Sequence, residues 1–413
     1  MPLCRPLSES VIVVTGASGG IGAAVAHALA ERGTSVVLAA RRADALTEIA
    51  AQCGARGGAA LPVPTDVSDA RAVEALAATA TARFGRIDAW INNAAVALYA
   101  DLADAPLDEV RRTIEVNLFG YLHGIRAALP RLSAAGGGVI VNVASVLSAV
   151  TTPYMGAYNL SKHAVRALSD TVRQELPDRS VSVCTVLPAS IDTPLYRHAG
   201  NRTGYTVRPL PPVYPPEVVA QAVVRLLRSP RREAYAGRLG HLLALQQRLT
   251  PALVERVMAG YGRRAAVAAI PAVPTPGNLF TPGGEPPAVE GGYHGRQRRA
   301  VRTAVGVGAI GLAAGATAVA RGALARLVRP GAGSVRSWPG RPASSTPHRT
   351  VSSPCSPTAG PTATGWLAPH TSARWIRDGR SPARKFTTRR GPGPCRCGTG
   401  ARHWSASRGG CSC

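Results

Sequence analysis

A phenol and an ammonium stand four residues apart at Tyr158 and Lys162, separated by Asn159, Leu160 and Ser161. On a helix, that spacing puts both side chains on one face. A phenol with a pKa near ~10 is a poor proton donor or acceptor at neutral pH. A neighbouring ammonium favours the phenolate and lowers that value. The pair is therefore expected to pass a proton to or from an oxygen of a bound molecule, although a Tyr and a Lys at this spacing also occur as plain surface neighbours. Lys162 is one of only two lysines, the other being Lys385, against 46 arginines, so its presence asks for a reason. Ser145 offers a hydroxyl that can hold a carbonyl or alcohol oxygen within reach of Tyr158. Asn117 lies in a helical stretch, where an Asn is unfavourable unless its amide is bonded.

A second group of residues suits phosphates. Thr15-Gly16-Ala17-Ser18-Gly19-Gly20-Ile21-Gly22 sits between a β-branched run at 11–14 and an Ala-rich helical run at 21–32. Gly16 permits a tight turn, Gly20 lets the backbone approach a pyrophosphate, and Gly22 permits close packing of helix on strand. Ser18 and Ile21 border the free N–H groups of the helix N-terminus, where an anion is favoured. The next strand ends Ala39-Ala40-Arg41-Arg42, with no acid to hold a ribose 2′-hydroxyl. Two guanidinium groups suit a 2′-phosphate instead, so NADP(H) is expected over NAD(H). Asp66 and Val67, after a third strand, and Asn93, after a fourth, are expected beside the adenosine half.

These residues need a frame, and the pattern predicts one. Apolar runs at 11–14, 36–38, 61–66, 87–91, 138–143, 181–186 and 233–236 alternate with helical stretches at 21–32, 70–83, 107–132, 157–176 and 215–228. About seven near-continuous apolar strands separated by helices imply a Rossmann-type α/β fold, a doubly wound parallel sheet covered on both faces. Candidate site residues then collect at strand ends. Leu242, Leu245, Leu249, Leu253 and Val257 recur at helical spacing and predict one amphipathic helix over 241–260. The Pro- and Gly-rich stretch 271–292 reads as an ordered loop or linker.

With these motifs in this order, the sequence resembles the short-chain dehydrogenase/reductase family. The resemblance rests on the 15–22 turn, Asn92-Asn93-Ala94, Asn117, Ser145, the Tyr158–Lys162 pair, and Pro188 followed by Ile191 and Thr193. It implies a catalytic tetrad of Asn117, Ser145, Tyr158 and Lys162, with Asn117 holding a water that links Lys162 to solvent. It implies that Ile191 and Thr193 touch the nicotinamide end, and that the protein is a homo-oligomer, a dimer or a tetramer. Ala95 and Ala189 depart from the family, which usually has Gly there. The expected activity is hydride transfer between a nicotinamide and an alcohol or ketone. A non-catalytic NADP-sensing or scaffold protein is the alternative, although it would need no Tyr–Lys pair. The loop 192–214, with Leu195, Tyr196, Tyr205, Val207, Leu210 and Tyr214, is expected to cover an apolar or lipid-like substrate, or else to cap the core.

Composition divides the chain. Residues 1–290 carry 28 basic and 22 acidic groups; residues 291–413 carry 20 basic groups and one acid, Asp378. The net charge of +25 is thus mostly a property of the tail and is not the footprint of a specific nucleic-acid site. The expected organisation is a catalytic domain at 1–240, an extension at 241–290, a basic then Ala/Gly-rich segment at 291–329, and a disordered Arg/Ser/Pro-rich tail at 330–413. The stretch 296–320 is a candidate for weak membrane contact in an otherwise cytoplasmic protein. The break in residue usage at 330 is also what a shifted reading frame produces. Cys4, Cys53 and Cys184 have no framework spacing and fit a reducing compartment. The late Cys395, Cys397, Cys411 and Cys413 are poorly spaced for zinc, and no metal is expected.

Overall fold

A computed structural model describes residues 2–176 and 180–293. The expectations for 296–320 and for the tail lie outside the described residues. Seven parallel strands form the main sheet: β1 Val11–Thr15, β2 Ser35–Ala40, β3 Ala60–Pro64, β4 Ala89–Asn92, β5 Gly138–Val143, β6 Val181–Pro188 and β7 Glu233–Ala236. Their spatial order is β7-β6-β5-β4-β1-β2-β3, the doubly wound arrangement expected from the sequence. Register is continuous across the centre, where Val13 pairs with both Val37 and Trp90.

Side-chain alternation explains why the strands read as unbroken apolar runs. Ile12, Val14, Val36, Leu38, Ile91 and Val141 point into one core layer. Val11, Val13, Val37, Trp90 and Ile140 point into the other. With both faces buried, both parities favour apolar residues, and exceptions such as Asn92 and Asn142 satisfy each other at 2.9 Å. The first layer is covered by α1 Gly20–Ala30, α2 Ala43–Gly54 and a later helix, Glu217–Arg228. The second is covered by α3 Ala70–Phe84, α4 Leu107–Ile114, α5 Gly120–Ala134 and α6 Gly156–Glu175. The single helix expected over 107–132 is two helices joined by a π-helical turn, Glu115–Phe119, and Asn117 sits inside that turn.

The chain winds outward from β1 to β3, then returns to β4 on the other side of β1. Consecutive loops diverge at that reversal, which opens a crevice at the strands' carboxyl ends. The Gly-rich turn leaves from one lip, and the Asn93–Ala94 loop from the other.

The helix expected at 241–260 is two: α8 Arg238–Leu249 and α9 Pro251–Ala266, counting Glu217–Arg228 as α7. Proline at the first position of α9 supplies no N–H to continue α8, so the chain turns there. The leucine stripe also plays a different part from the one its spacing predicts. Leu242, Leu245 and Leu249 are exposed, while Gly240, Ala244, Val254 and Met258 are buried. Gly240 lies so close to the loop after β5 that a Cβ there would sit 2.5 Å from Val146. After α9, the strand Val267–Pro271 pairs antiparallel with Tyr205–Val207. Among the described residues, no helix is long and apolar enough to cross a membrane.

Candidate active site

At the Gly-rich turn, backbone meets backbone. Gly16 has φ +68°, and a Cβ there would lie 2.7 Å from the Ala94 Cα. A Cβ on Gly22 would strike the carbonyl of Gly16. No larger residue fits this cradle, which brings the start of α1 against the crevice. Asn93 braces it: its backbone N–H donates to Thr15 Oγ1 (3.0 Å), and its side-chain amide donates to the Thr15 carbonyl (2.9 Å). The N–H groups of Ile21 and Gly22, in the first turn, have no partner the helix can supply, which is the chemistry an anion needs.

A cavity of about 380 Å³ runs from this turn along the strand ends. Gly16, Ser18, Gly20, Ile21, Arg41 and Arg42 line one end, with Asp66, Val67 and Asn93 beside them. Ser145, Tyr158, Lys162, Ile191 and Thr193 line its middle. Gly22 and Asn117 stand behind the wall instead of in it.

Tyr158 and Lys162 project from the first two turns of α6, and both are buried. Ser145 lies in the loop after β5; its Oγ accepts from the Leu147 N–H (3.1 Å), and its hydroxyl lies close enough to the Tyr158 phenol to favour the phenolate. Lys162 Nζ donates to the Val143 carbonyl (2.9 Å) and to the Tyr121 hydroxyl (3.1 Å), and lies 5.6 Å from the Tyr158 ring centre. The expected acidified phenol is not what this geometry produces. Burial pushes Tyr158 up to about 12, only partly offset by the nearby Ser145 hydroxyl. Burial pushes Lys162 down to about 7, because its ammonium is held by neutral oxygens and no carboxylate. At neutral pH the lysine is therefore poised between charged and neutral forms.

Asn117 is bonded, as a helical Asn must be. Its Oδ1 accepts from the Val96 N–H (2.8 Å), and its Nδ2 donates to the Val96 carbonyl (2.9 Å) and to Ser161 Oγ (3.0 Å). The π-helical turn thereby ties the loop after β4 to α6 at Ser161, the residue before Lys162. Its side-chain oxygen and amide are thus committed to Val96 and Ser161.

The arginines differ from the simple expectation of guanidiniums awaiting a phosphate. Arg41 donates to the carbonyls of Asn278 (2.6 Å), Phe280 (2.9 Å) and Leu279 (3.3 Å). Arg42 donates to the Glu285 carbonyl and to the Ser18 carbonyl (2.9 Å). Each guanidinium still has N–H groups beyond these bonds. Asp66 is also engaged: it accepts from the Ser68 N–H and hydroxyl and pairs with Arg112 at 2.7 Å. Burial raises its pKa, but the Ser68 hydrogen bonds and Arg112 outweigh that and hold the carboxyl below its usual range.

Of the loop residues expected over the substrate, Leu195, Tyr196 and Leu210 line the cavity. Val207 packs in a small core, Tyr205 is exposed, and Tyr214 lies against Gly237. Leu243, Val254, Val257 and Met258, from α8 and α9, complete an apolar end that helical spacing alone does not point to. Tyr121 was also missed. It lies four residues after Asn117, and that helical spacing was the available signal. Cys53 and Cys184 are buried and pushed up to about 11, hence inert, while Cys4 is exposed.

Known proteins share this arrangement. The model of the short chain dehydrogenase family matches residues 10–203. A Bacillus subtilis protein described as the uncharacterized oxidoreductase YxnA is 35% identical over 260 residues, 62% of this chain and 72% of that protein. The D-threitol dehydrogenase of Mycolicibacterium smegmatis is 37% identical over 223 residues, 52% of this chain and 85% of that enzyme. The crystal structure of a short-chain dehydrogenase/reductase from Burkholderia phymatum in complex with NAD superposes with a TM-score of 0.53 at 27% identity, covering 59% of this chain and 94% of that one. The sheet order, the glycine cradle and these relatives together place the chain in the short-chain dehydrogenase/reductase family of oxidoreductases.

Proposed function

We propose that the protein transfers hydride between a nicotinamide dinucleotide, with NADP(H) preferred, and an apolar alcohol or ketone. One observation carries this reading: Ser145, Tyr158 and Lys162 share a single cavity with the glycine cradle. The NAD complex of the Burkholderia phymatum relative supports a nicotinamide dinucleotide, and the alcohol named for the Mycolicibacterium smegmatis enzyme supports an alcohol-level substrate; the preference for NADP(H) rests on Arg41 and Arg42, and the apolar substrate on the cavity lining.

The bound nicotinamide supplies the hydride donor or acceptor. Gly16, Gly20 and Ile21 form the face for the pyrophosphate, and Gly22, packed behind them, lets helix and turn approach that closely. Ser18, Arg41 and Arg42 would hold a 2′-phosphate through the guanidinium N–H groups still free, which favours NADP(H). Asp66, Val67 and Asn93 border the adenosine half, and Ile191 and Thr193 border the nicotinamide. Tyr158 Oη gives or takes the proton at the substrate oxygen, and Ser145 Oγ orients and polarises that oxygen. Lys162 positions the dinucleotide ribose and, when charged, stabilises the phenolate. Asn117 is a positioning residue, holding the loop after β4 and the start of α6 in register.

The substrate end favours carbon over oxygen. Leu147, Met155, Tyr196, Leu210, Leu243 and Met258 line it. A medium-length aliphatic or terpenoid alcohol, or the matching ketone, would bury its chain there at about 0.8 kcal/mol per methylene. A homo-oligomer is part of the proposal, and exposed Phe119 and Leu160 are surfaces it could cover.

The test is a screen of alcohols and ketones of graded chain length with NADPH and NADH in parallel, on the full chain and on Tyr158→Phe. Turnover that grows with chain length and vanishes in the variant supports the proposal. Turnover retained by the variant removes Tyr158 from the chemistry.

A further inference from the structure

The family model ends at residue 203, yet the crevice it describes is closed from outside by chain much further along. Segment 275–293 crosses the carboxyl ends of the strands from one lip to the other. It begins beside Asn201, where two backbone hydrogen bonds join Asn201 and Thr275 (2.7 and 2.9 Å). The Asn278 N–H then donates to the His198 carbonyl (2.8 Å). Leu279 is a plug: its side chain is 0% exposed and packs in the second core layer, while Arg41 and Arg112 both donate to its carbonyl. The segment continues over Arg42 to the cradle, where the Gly20 N–H donates to the Ala288 carbonyl (2.9 Å). It ends at Asp192, whose Oδ1 accepts from the N–H groups of Gly291 and Tyr293, both at 2.9 Å. The Tyr293 ring meets Tyr196 edge-on at 5.7 Å between centres.

The path runs from the adenosine side, at β2, to the nicotinamide side, after β6. The segment does not fill the space beneath it. Pro282, Gly283, Pro286 and Ala288 line the same cavity as Ser18, Ile21 and Tyr158. Ala288 takes one N–H of the cradle and leaves those of Ile21 and Gly22 for an anion. Carbonyls of the segment also orient the Arg41 and Arg42 guanidiniums without using all their donors.

We propose that segment 275–293 is the outer wall of the dinucleotide site, a strap that closes over the bound cofactor and must open for the cofactor to leave. The proposal rests on the dinucleotide reading above. It assigns a binding role to chain that the sequence presents only as a Pro/Gly-rich linker. It also makes cofactor release slower than the cradle alone would allow, because the Leu279 plug and the hydrogen bonds to Arg41, Gly20 and Asp192 have to part first.

Two variants loosen the strap without touching the cradle or Tyr158. In Gly291→Val, the new side chain strikes the Thr193 backbone, with the first carbon 2.7 Å from the Thr193 carbonyl carbon. In Leu279→Ala, the plug is cut back. NADPH and NADH are the probes, and nicotinamide fluorescence in stopped flow reads their dissociation and equilibrium constants with no substrate present. The expected result is dissociation at least about tenfold faster in both variants, with weaker equilibrium binding; tenfold corresponds to about 1.4 kcal/mol. Folding is checked by circular dichroism, and Gly291→Val, buried but outside the hydrophobic clusters that Leu279 joins, keeps the test open if Leu279→Ala unfolds. Unchanged dissociation rates in a folded variant overturn the strap and leave the dinucleotide reading intact. Tighter binding in the variants overturns it differently, by making the segment a competitor for the site. If neither the wild type nor a variant binds either dinucleotide, the functional reading fails and the strap falls with it.

Discussion

Replacing Lys162 by Met should make the protein more stable at neutral pH while removing its activity. Lys162 is 1% exposed, and burial takes its pKa from 10.5 to about 7. In the unfolded chain the amine keeps its ordinary proton affinity. Between about pH 7 and pH 10.5 the unfolded state therefore binds more protons than the folded state, so stability rises with pH across that window. The burial cost is largest below pH 7. Each tenfold loss of proton affinity costs about 1.4 kcal/mol, so the cost at pH 7 is on the order of 4 kcal/mol. Against this stand two hydrogen bonds, to Tyr121 and to the Val143 carbonyl, worth about 1 kcal/mol each. Their loss leaves no orphan, because the Tyr121 hydroxyl still donates to the Val143 carbonyl at 2.8 Å. The net expectation for Lys162→Met at pH 7 is a gain of about 2 kcal/mol, or a Tm higher by about 4–8 °C. Near pH 10 the ionisation cost has fallen below about 1 kcal/mol, the lost hydrogen bonds dominate, and the variant falls behind. Tyr158, Cys53 and Cys184, all pushed upward by burial, remain in both proteins and cancel in the comparison. Urea unfolding of both proteins at pH 7 and pH 10 is the assay. A variant less stable at pH 7, or a difference that does not change between the two pH values, refutes the reasoning.

Removing the Tyr158 hydroxyl as Phe should lower kcat at least about a hundredfold, the range for a positioned acid or base. NADPH affinity measured by fluorescence should stay within about twofold, since the ring still fills its place. Arg42→Ala should raise the KM for NADPH by roughly 10- to 100-fold, the worth of one or two charge-assisted hydrogen bonds, with little change for NADH. An unchanged ratio of the two KM values would remove Arg42 from cofactor choice. Asn117→Ala strands both the N–H and the carbonyl of buried Val96. It should cost about 2–4 kcal/mol in urea unfolding, and kcat should fall more than the KM for dinucleotide.

Much of this protein is written in short-range patterns. Strands buried on both faces are apolar at nearly every position, so runs such as Val11-Ile12-Val13-Val14 announce a parallel sheet without any knowledge of what covers it. The glycine spacing from Gly16 to Gly22 is legible for a similar reason: backbone touches backbone there, and only one residue type fits. Tyr158 and Lys162 share a face through helical spacing alone. Other features depend on partners far along the chain. Whether Lys162 acidifies Tyr158 depends on burial, on Val143 and on Tyr121, and the tertiary structure places neutral oxygens where a bare pair suggests only mutual attraction. Arg41 and Arg42 look like two free cations until residues 278–285, about 240 positions away, fold onto them. The leucine periodicity after residue 240 suggested a buried face, yet Pro251 breaks the helix and the docking of both halves on the cavity buries other residues. Local geometry thus determined the sheet, the cradle and the reacting pair. Charge state, substrate wall and roof were decided by contacts between distant segments, because desolvation and packing are properties of the assembled interior.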